Sequence, residues 1–278
     1  MNFFLSFLFD GFPKSLPPKY QYLFPRISNV LGDFLTRKHS ISNWDNRLLG
    51  LTEYSIQTIL DIGANNGQST KKLHKLFPKA NIYAFEPVDT AFLKLNRFAD
   101  KCSNVRAYNL AVGDENTTIK FNKHPYFTLS SSVLKTTDSC VESYPILAFQ
   151  EVLEVSQVTL DYIIPTLNIK EEILIKIDVQ GYEYKVLEGA INFLDSVLAC
   201  IVEVSMMPVY ENQASFDMIY RLLVSKGFCF VGMIDQAKMP SGVVEYFDAV
   251  FINKNRQSLI ASINVGNGDI LDNYSENG

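Results

Sequence analysis

Residues 59–67, Ile-Leu-Asp-Ile-Gly-Ala-Asn-Asn-Gly, and residues 83–87, Tyr-Ala-Phe-Glu-Pro, belong to one structural unit. An apolar run ends in Asp61, a glycine-bearing turn follows, then a segment of helical periodicity, then a second apolar run that closes on Glu86. That layout builds a nucleoside pocket at the edge of a parallel sheet. Gly63 and Gly67 let backbone approach a ligand where a Cβ would clash. Glu86 stands where a carboxylate accepts hydrogen bonds from both ribose hydroxyls, with Pro87 beside it. The spacing is Asp-x-Gly-x-x-x-Gly, and no Gly-x-Gly-x-x-Gly occurs in the chain. The glycine that admits a dinucleotide's pyrophosphate is therefore missing. A nucleoside without a diphosphate is expected, with S-adenosylmethionine the leading candidate. The backbone N–H groups of residues 63–67 are expected to hold its methionine carboxylate, and Asp61 to orient its amino group. Asn65 or Asn66 would add polar contacts, although asparagine is also simply a good turn residue.

The same alternation continues along the chain. Thr58 to Ile62 reads as a buried strand. Gln68 to Phe77 reads as a helix that ends before Pro78, and Asn81 to Glu86 as the second strand. Asp89 to Lys101 is a helix with Asp89 as its N-cap, and Val105 to Val112 the third strand. Residues 113–158 are rich in Ser, Thr and Asn and predict a β-hairpin insertion and loop. Thr159 to Leu167 reads as a short helix bent at Pro165. Ile173 to Ile177 is a strand, Tyr182 to Leu194 a helix, and Leu198 to Val204 a strand. Ser215 to Lys226 is a helix closed by Gly227. Phe228 to Ile234 and Tyr246 to Ile252 lack a helix between them and should pair antiparallel. Repeated strand–helix units imply an α/β fold: a mostly parallel seven-stranded sheet with helices on both faces and a terminal antiparallel strand. Residues 1–50 are read as an N-terminal extension, 51–256 as the main domain and 257–278 as a tail.

Composition narrows the partners. The 278 residues carry 47% apolar side chains and a formal net charge of −5, with Lys and Arg spread rather than clustered. Nucleic acid is not expected as a partner. Cys102, Cys140, Cys200 and Cys229 form no Cys-x-x-Cys pair, which suggests reduced thiols and a cytoplasmic location. His39, His74 and His124 lie far apart, and no metal is expected. No apolar stretch is long enough to span a bilayer. The apolar residues 1–12 are read as packing on the domain, with peripheral membrane contact or a homo-oligomer contact as the sharper alternative.

Two further segments fall at strand ends, where ligands bind in this architecture. Ala111 and Val112, within Asn109-Leu-Ala-Val-Gly-Asp114, would flank an adenine; the bland alternative is an ordinary strand end. Asp178 closes an apolar strand in Lys176-Ile-Asp-Val-Gln-Gly-Tyr-Glu183, and Glu183 opens the next helix. Asp178 would bind the methionine amine, orient an acceptor or act as base. Glu183 is equally explained by the helix dipole.

The ordered set Asp-Ile-Gly-Ala-Asn-x-Gly, Phe-Glu-Pro, Ala-Val-Gly-Asp, Thr-Leu-Asp and Lys-Ile-Asp-Val-Gln-Gly-Tyr-Glu-x-x-Val-Leu-x-Gly-Ala resembles the FkbM-type S-adenosylmethionine-dependent methyltransferases. The likeness covers about Ile59 to Ile252, and Lys176 to Ala190 is its most specific part. It implies the class I, Rossmann-like methyltransferase fold and methylation of hydroxyl oxygens on sugars or macrocycles. It also implies cofactor-side positions for Gly63, Glu86, Ala111 and Asp178. A small-molecule or glycan acceptor must lose a proton, and Asp178, Glu183, Glu203 and His124 are the candidate bases. His124 sits in the insertion that would cover the crevice. Two other functions stay open. A nicotinamide-dependent sugar oxidoreductase or epimerase would need Gly-x-Gly-x-x-Gly and Tyr-x-x-x-Lys, neither of which occurs. A non-catalytic S-adenosylmethionine-binding module would be free to lose the glycine turn and Glu86.

Overall fold

The computed structural model describes residues 48–126, 128–239 and 241–259. The readings placed on residues 1–47 and on the tail beyond 259, including contact through residues 1–12, lie outside these.

Among the described residues the order is β1 (Thr58–Ile62), α1 (Gln68–Leu76), β2 (Asn81–Phe85), α2 (Asp89–Ala99), β3 (Val105–Tyr108), β4 (Ala111–Val112), β5 (Thr117–Lys123), α3 (Asp138–Ser143), β6 (Glu151–Val158), α4 (Leu160–Ile163), β7 (Ile173–Ile177), α5 (Glu183–Glu188), β8 (Val197–Ser205), α6 (Phe216–Ser225), β9 (Phe228–Lys238) and β10 (Val244–Asn253). Seven strands form one sheet in the order β3-β2-β1-β7-β8-β10-β9. Only β10 runs against its neighbours. This is the expected mostly parallel sheet with an antiparallel strand near one edge.

The central strands are buried on both faces, which is why they read as continuous apolar runs. Leu60 and Ile62 of β1, with Ile175 and Ile177 of β7, pack under Val186 and Leu187 of α5 and Ile219 and Leu223 of α6. Ile59 of β1 and Leu174 of β7 face the other way, against Leu73 of α1 and Ala99 at the end of α2. Each such side chain contributes about 1.5–3 kcal/mol on burial. Leu48 and Leu51 are fully buried in the second cluster, so the packed unit reaches back at least to Leu48. No helix among the described residues is long and apolar enough to cross a membrane.

Three segments differ from the sequence reading. The third strand is not continuous from Val105 to Val112. It leaves the sheet after Tyr108, where Asn109 Nδ2 donates to the carbonyls of Glu86 and Pro87, each at 3.1 Å. Ala111–Val112 then pairs with β6 in a separate three-stranded sheet, β4-β6-β5. The insertion does pair antiparallel, β5 with β6, but α3 stands between the two strands. Finally, α5 stops at Glu188 instead of running to Leu194. The Asp161 carboxylate accepts from the N–H groups of Asn192 and Phe193 at 3.1 and 2.8 Å, which draws the chain out of the helix. Gly189 permits this, since a Cβ there would lie 1.9 Å from the Gly113 carbonyl oxygen.

Candidate active site

The turn after β1 enters the left-handed region at Gly63, with φ +80°, and again at Gly67, with φ +82°. Both glycines are required, but by protein. A Cβ on Gly63 would sit 1.9 Å from the Asp178 carbonyl oxygen, where β7 leaves the sheet, and one on Gly67 would meet Leu95 of α2 at 3.1 Å. The turn's backbone donors are also committed. Gly63 and Ala64 both donate to the Phe85 carbonyl at 3.0 Å, and Gly67 to that of Ala64 at 2.8 Å. Asn65 donates to Glu86 Oε2 at 2.9 Å, and Asn66 to Asn65 Oδ1 at 2.7 Å. The expectation that these five N–H groups hold a ligand carboxylate therefore meets a turn whose donors are all engaged.

Glu86 is 5% exposed. Its Oε1 accepts from the Val88 N–H at 2.8 Å and its Oε2 from that of Asn65. Two bonds leave a carboxylate with further acceptor sites. Burial pushes its carboxyl up to about 7, even though both backbone bonds favour the charged form. Beside Glu86, at the carboxyl ends of β1, β2 and β7, a partly enclosed cleft opens to solvent. It is lined by Gly63, Asn65, Glu86, Pro87, Ala111, Val112 and Asp178, which the sequence reading had proposed together. Phe85, Gln180 and Tyr182 also line it. Asp61, Gly67, Glu183, Glu203 and His124 do not.

Each of those five has another place. Asp61 is fully buried, and its carboxylate accepts from Ser69 Oγ (2.8 and 3.0 Å) and Thr70 Oγ1 (2.6 Å), anchoring the start of α1. Burial raises its pKa, and the Lys176 charge opposes the rise. Gly67 opens α1. Glu183 is buried, and its Oε1 accepts from the N–H groups of Val179 and Gly181 at 3.0 and 3.1 Å, closing the turn that enters α5. Burial brings its carboxyl to about 7. His124 has no exposed surface. Its Nδ1 lies 3.2 Å from the Phe149 carbonyl and its Nε2 3.1 Å from Thr136 Oγ1, and burial lowers its pKa. Both ring nitrogens are spent within the insertion.

Glu203 belongs to a charged row across the sheet. Asp61 and Lys176 are register partners on β1 and β7, and Glu203 and Asp248 on β8 and β10. Lys176 Nζ lies 2.7 Å from Asp178 Oδ2 with almost no exposure. Burial opposes its charge, but Asp178, Asp61 and Asp248 outweigh that and hold the ammonium above the ordinary lysine range. Glu203 is half-buried; burial, then Asp178 and Asp248, raise its carboxyl well above the usual value. Gln180 Nε2 links the two acids, 2.9 Å from Asp178 Oδ1 and 2.7 Å from Glu203 Oε1. Gln180 and Lys176 stand in the motif that sequence reading quoted, yet received no role there. On the cleft's far wall the Tyr182 hydroxyl donates to Asp114 Oδ1 at 3.0 Å, and Lys185 pairs with Asp114 Oδ2 at 2.8 Å. No cluster of three or more His, Cys, Asp or Glu side chains is placed to hold a metal ion among the described residues.

The cleft can thus present one buried carboxylate, a second acid beside a lysine, and apolar walls to a nucleoside-bearing ligand. Comparison with known proteins points the same way. The methyltransferase FkbM domain matches residues 61–230. The 2-O-methyltransferase NoeI of Sinorhizobium fredii is 28% identical over 187 residues, 64% of this chain and 76% of that protein. Methyltransferase 1 of Beauveria bassiana is 27% identical over 181 residues, 61% of this chain and 71% of that protein. A crystal structure of the methyltransferase FkbM from Methylobacillus flagellatus superposes with a TM-score of 0.44 at 12% identity, covering 71% of this chain and 44% of that one. The chain thus spans less than half the length of the Methylobacillus protein. With a family match over most of its length, the chain belongs to the FkbM methyltransferases, and its cofactor is S-adenosylmethionine.

Proposed function

We propose that this methyltransferase methylates a hydroxyl oxygen of a saccharide or glycolipid. One observation carries the placement of the cofactor: Glu86 is a nearly buried carboxylate with unused acceptor sites, set beside the cleft between apolar walls. The residues suit the cofactor. Glu86 accepts from the ribose hydroxyls, with Asn65 and Pro87 beside it. Ala111 and Val112 flank the adenine, and Asp178 binds the methionine ammonium. Asp61 and Gly67 act at one remove, by fixing the start of α1.

When bound, S-adenosylmethionine supplies an electrophilic methyl group on its sulfonium. The chain's own work is to orient the acceptor and receive its proton. Among the candidate bases Glu203 is best placed. It does not line the cleft itself but is joined to the cleft wall through Gln180, and burial with the neighbouring acids raises its affinity for a proton. Asp178 is engaged by Lys176, while Glu183 and His124 are absorbed by structural hydrogen bonds. The relative named as a 2-O-methyltransferase supports oxygen as the acceptor atom. The FkbM resemblance supports a sugar. The absence of a basic cluster argues against nucleic acid, and four free cysteines fit a cytoplasmic enzyme of polysaccharide biosynthesis.

Titration calorimetry with S-adenosylmethionine and with NAD tests the cleft; binding of NAD alone would end the reading. Incubation with methyl-labelled cofactor and a panel of glycans, followed by mass spectrometry, tests the acceptor. The expected product is an O-methyl sugar, and label found only on nitrogen or carbon would refute it.

A further inference from the structure

Asp178, at the exit of β7, and Glu203, on β8, share one side-chain amide. Gln180 Nε2 donates to both, which uses the two amide hydrogens. Gln180 Oε1 accepts from the Tyr210 hydroxyl at 2.8 Å, and Tyr210 is 2% exposed. The same hydroxyl lies 3.1 Å from the Ser130 carbonyl, so its one hydrogen is shared between two acceptors. The two carboxylates set which way round the amide lies, since a flipped amide would aim its oxygen at them. The backbone is held as firmly. Gln180 has φ +57°, in the left-handed region that favours glycine. Its carbonyl accepts from the buried Ser132 hydroxyl at 2.7 Å. A strained residue persists where its surroundings over-determine it, and such residues gather at functional sites. The outcome is asymmetric. Asp178 has a donor on each oxygen, Gln180 on Oδ1 and Lys176 on Oδ2. Glu203 has its donor on Oε1, and no described residue donates to Oε2.

We infer that Gln180 is a positioning residue of the methyl transfer: its amide fixes Glu203 beside Asp178 and leaves Glu203 Oε2 to take the acceptor's hydroxyl proton. This rests on the reading of Glu203 as the base. The O–H bond of the acceptor breaks, the proton passes to Oε2, and the oxygen keeps the electron pair with which it bonds the methyl carbon. The charged and titratable groups around Glu203 are Asp178 and Lys176 at β7, Glu183 of α5, and Asp248 and Tyr246 of β10, with Tyr210 in the loop after β8. Against three nearby acids the amide is the one uncharged donor among the described residues that reaches the Glu203 carboxylate. Removing it takes away a bond that favours the charged form, so the proton on Glu203 must bind more tightly.

The test titrates the full-length protein labelled with ¹³C at the glutamate side-chain carboxyls, without cofactor, using Glu203→Gln to locate the Glu203 resonance. Gln180→Met keeps the side-chain length and removes the amide. Tyr210→Phe keeps the amide and removes the hydroxyl that supports its oxygen. The Glu203 midpoint should rise by about one pH unit in Gln180→Met, a tenfold change in proton affinity, and by less in Tyr210→Phe. The Glu86 midpoint should not move, which separates a local change from loss of the fold. S-adenosylmethionine affinity, read by calorimetry, should stay within about threefold of wild type in Tyr210→Phe, since Tyr210 does not line the cleft. A Glu203 midpoint unchanged in both variants overturns the positioning role, and Tyr210→Phe carries the test if Gln180→Met does not fold. The parent reading fails by a different sign: a wild-type protein that transfers no methyl group to any hydroxyl acceptor while the Glu203 midpoint still moves.

Discussion

The two ends of the cleft are built on opposite plans. On the side of β1 and β2, the glycine turn is closed on itself: five consecutive N–H groups bond to protein, and a single carboxylate, Glu86, keeps acceptor capacity to spare. Behind the other end charge is crowded: Asp61 of β1, Asp178 after β7, Glu203 of β8 and Asp248 of β10 gather about one buried lysine, beside a strained glutamine. A rigid turn that needs nothing from a ligand can be preformed for binding. A crowded row of acids resists full ionisation and so is suited to moving a proton. On the function proposed above, recognition falls at one end and chemistry at the other.

The sharpest way to break the crowded end is Lys176→Met. The lysine is 4% exposed and its charge bears on Asp61, Asp178, Asp248 and Glu203, so its loss leaves buried carboxylates without that support. Denaturant titration at neutral pH should show a loss of about 3–5 kcal/mol, the usual result of removing one partner of a buried pair. A loss under 1 kcal/mol would mean that the acids are already protonated and that the row is not held by charge.

Glu86→Gln probes the other end. It keeps the shape and one acceptor oxygen but loses the charge, and hydrogen bonds to charged groups are worth about 1.5–3 kcal/mol. S-adenosylmethionine affinity by calorimetry should fall about tenfold to a hundredfold, and stability by about 1–3 kcal/mol, because the amide nitrogen would face the N–H of Val88 or Asn65. The wild type should show the same loss on acidification. Because burial raises the Glu86 carboxyl to about 7, affinity should be full above that pH and fall below it, levelling at the tenfold to hundredfold loss of the variant. The folded protein responds with the opposite sign. Its Glu86 pKa lies above the ordinary value of 4.5, so the native state holds a proton that the unfolded chain releases. This group therefore favours the fold most at acid pH and loses that contribution as pH rises from about 4.5 to about 7. Cofactor affinity equal at pH 5.5 and 8 would remove Glu86 from ribose recognition.

The smallest effect on binding should come from His124→Gln. Both ring nitrogens serve the insertion, so S-adenosylmethionine affinity should be unchanged while stability falls by about 1–3 kcal/mol. Burial lowers the His124 pKa below its ordinary 6.5, so the wild type loses this residue's contribution as pH falls through that window, and the variant should lack that loss. A variant that folds normally but loses all methyl transfer would return His124 to the chemistry.

Much of the recognition end was legible in the sequence because its signals are local. A buried parallel strand reads as an apolar run, and a glycine pair with an acid on the next strand marks the crossover. Gly63, Asn65, Glu86, Pro87, Ala111, Val112 and Asp178 accordingly meet in one cleft. The reason for Gly63 was not legible, because the atom its Cβ would strike belongs to Asp178, far along the chain. The crowded end was read as a list of acids. What sorts them is tertiary: the amide of Gln180, the hydroxyl of Tyr210 and the ring contacts of His124 join residues that no spacing relates. Strand and helix ends failed for the same reason, Val105 to Val112 broken by Asn109 reaching β2 and Tyr182 to Leu194 cut short by Asp161.

The departure of the chain from the main sheet at Asn109 carries one more implication. Ala111 and Val112 are stitched to β6, and Val112 also packs against Leu60, Ile62 and Phe85, so the wall proposed for the adenine joins the insertion to the central sheet. Anyone exchanging that insertion to retune acceptor choice would be refitting the cofactor's cradle at the same stroke, and grafts should therefore retain β4 and the stretch of β6 that holds it.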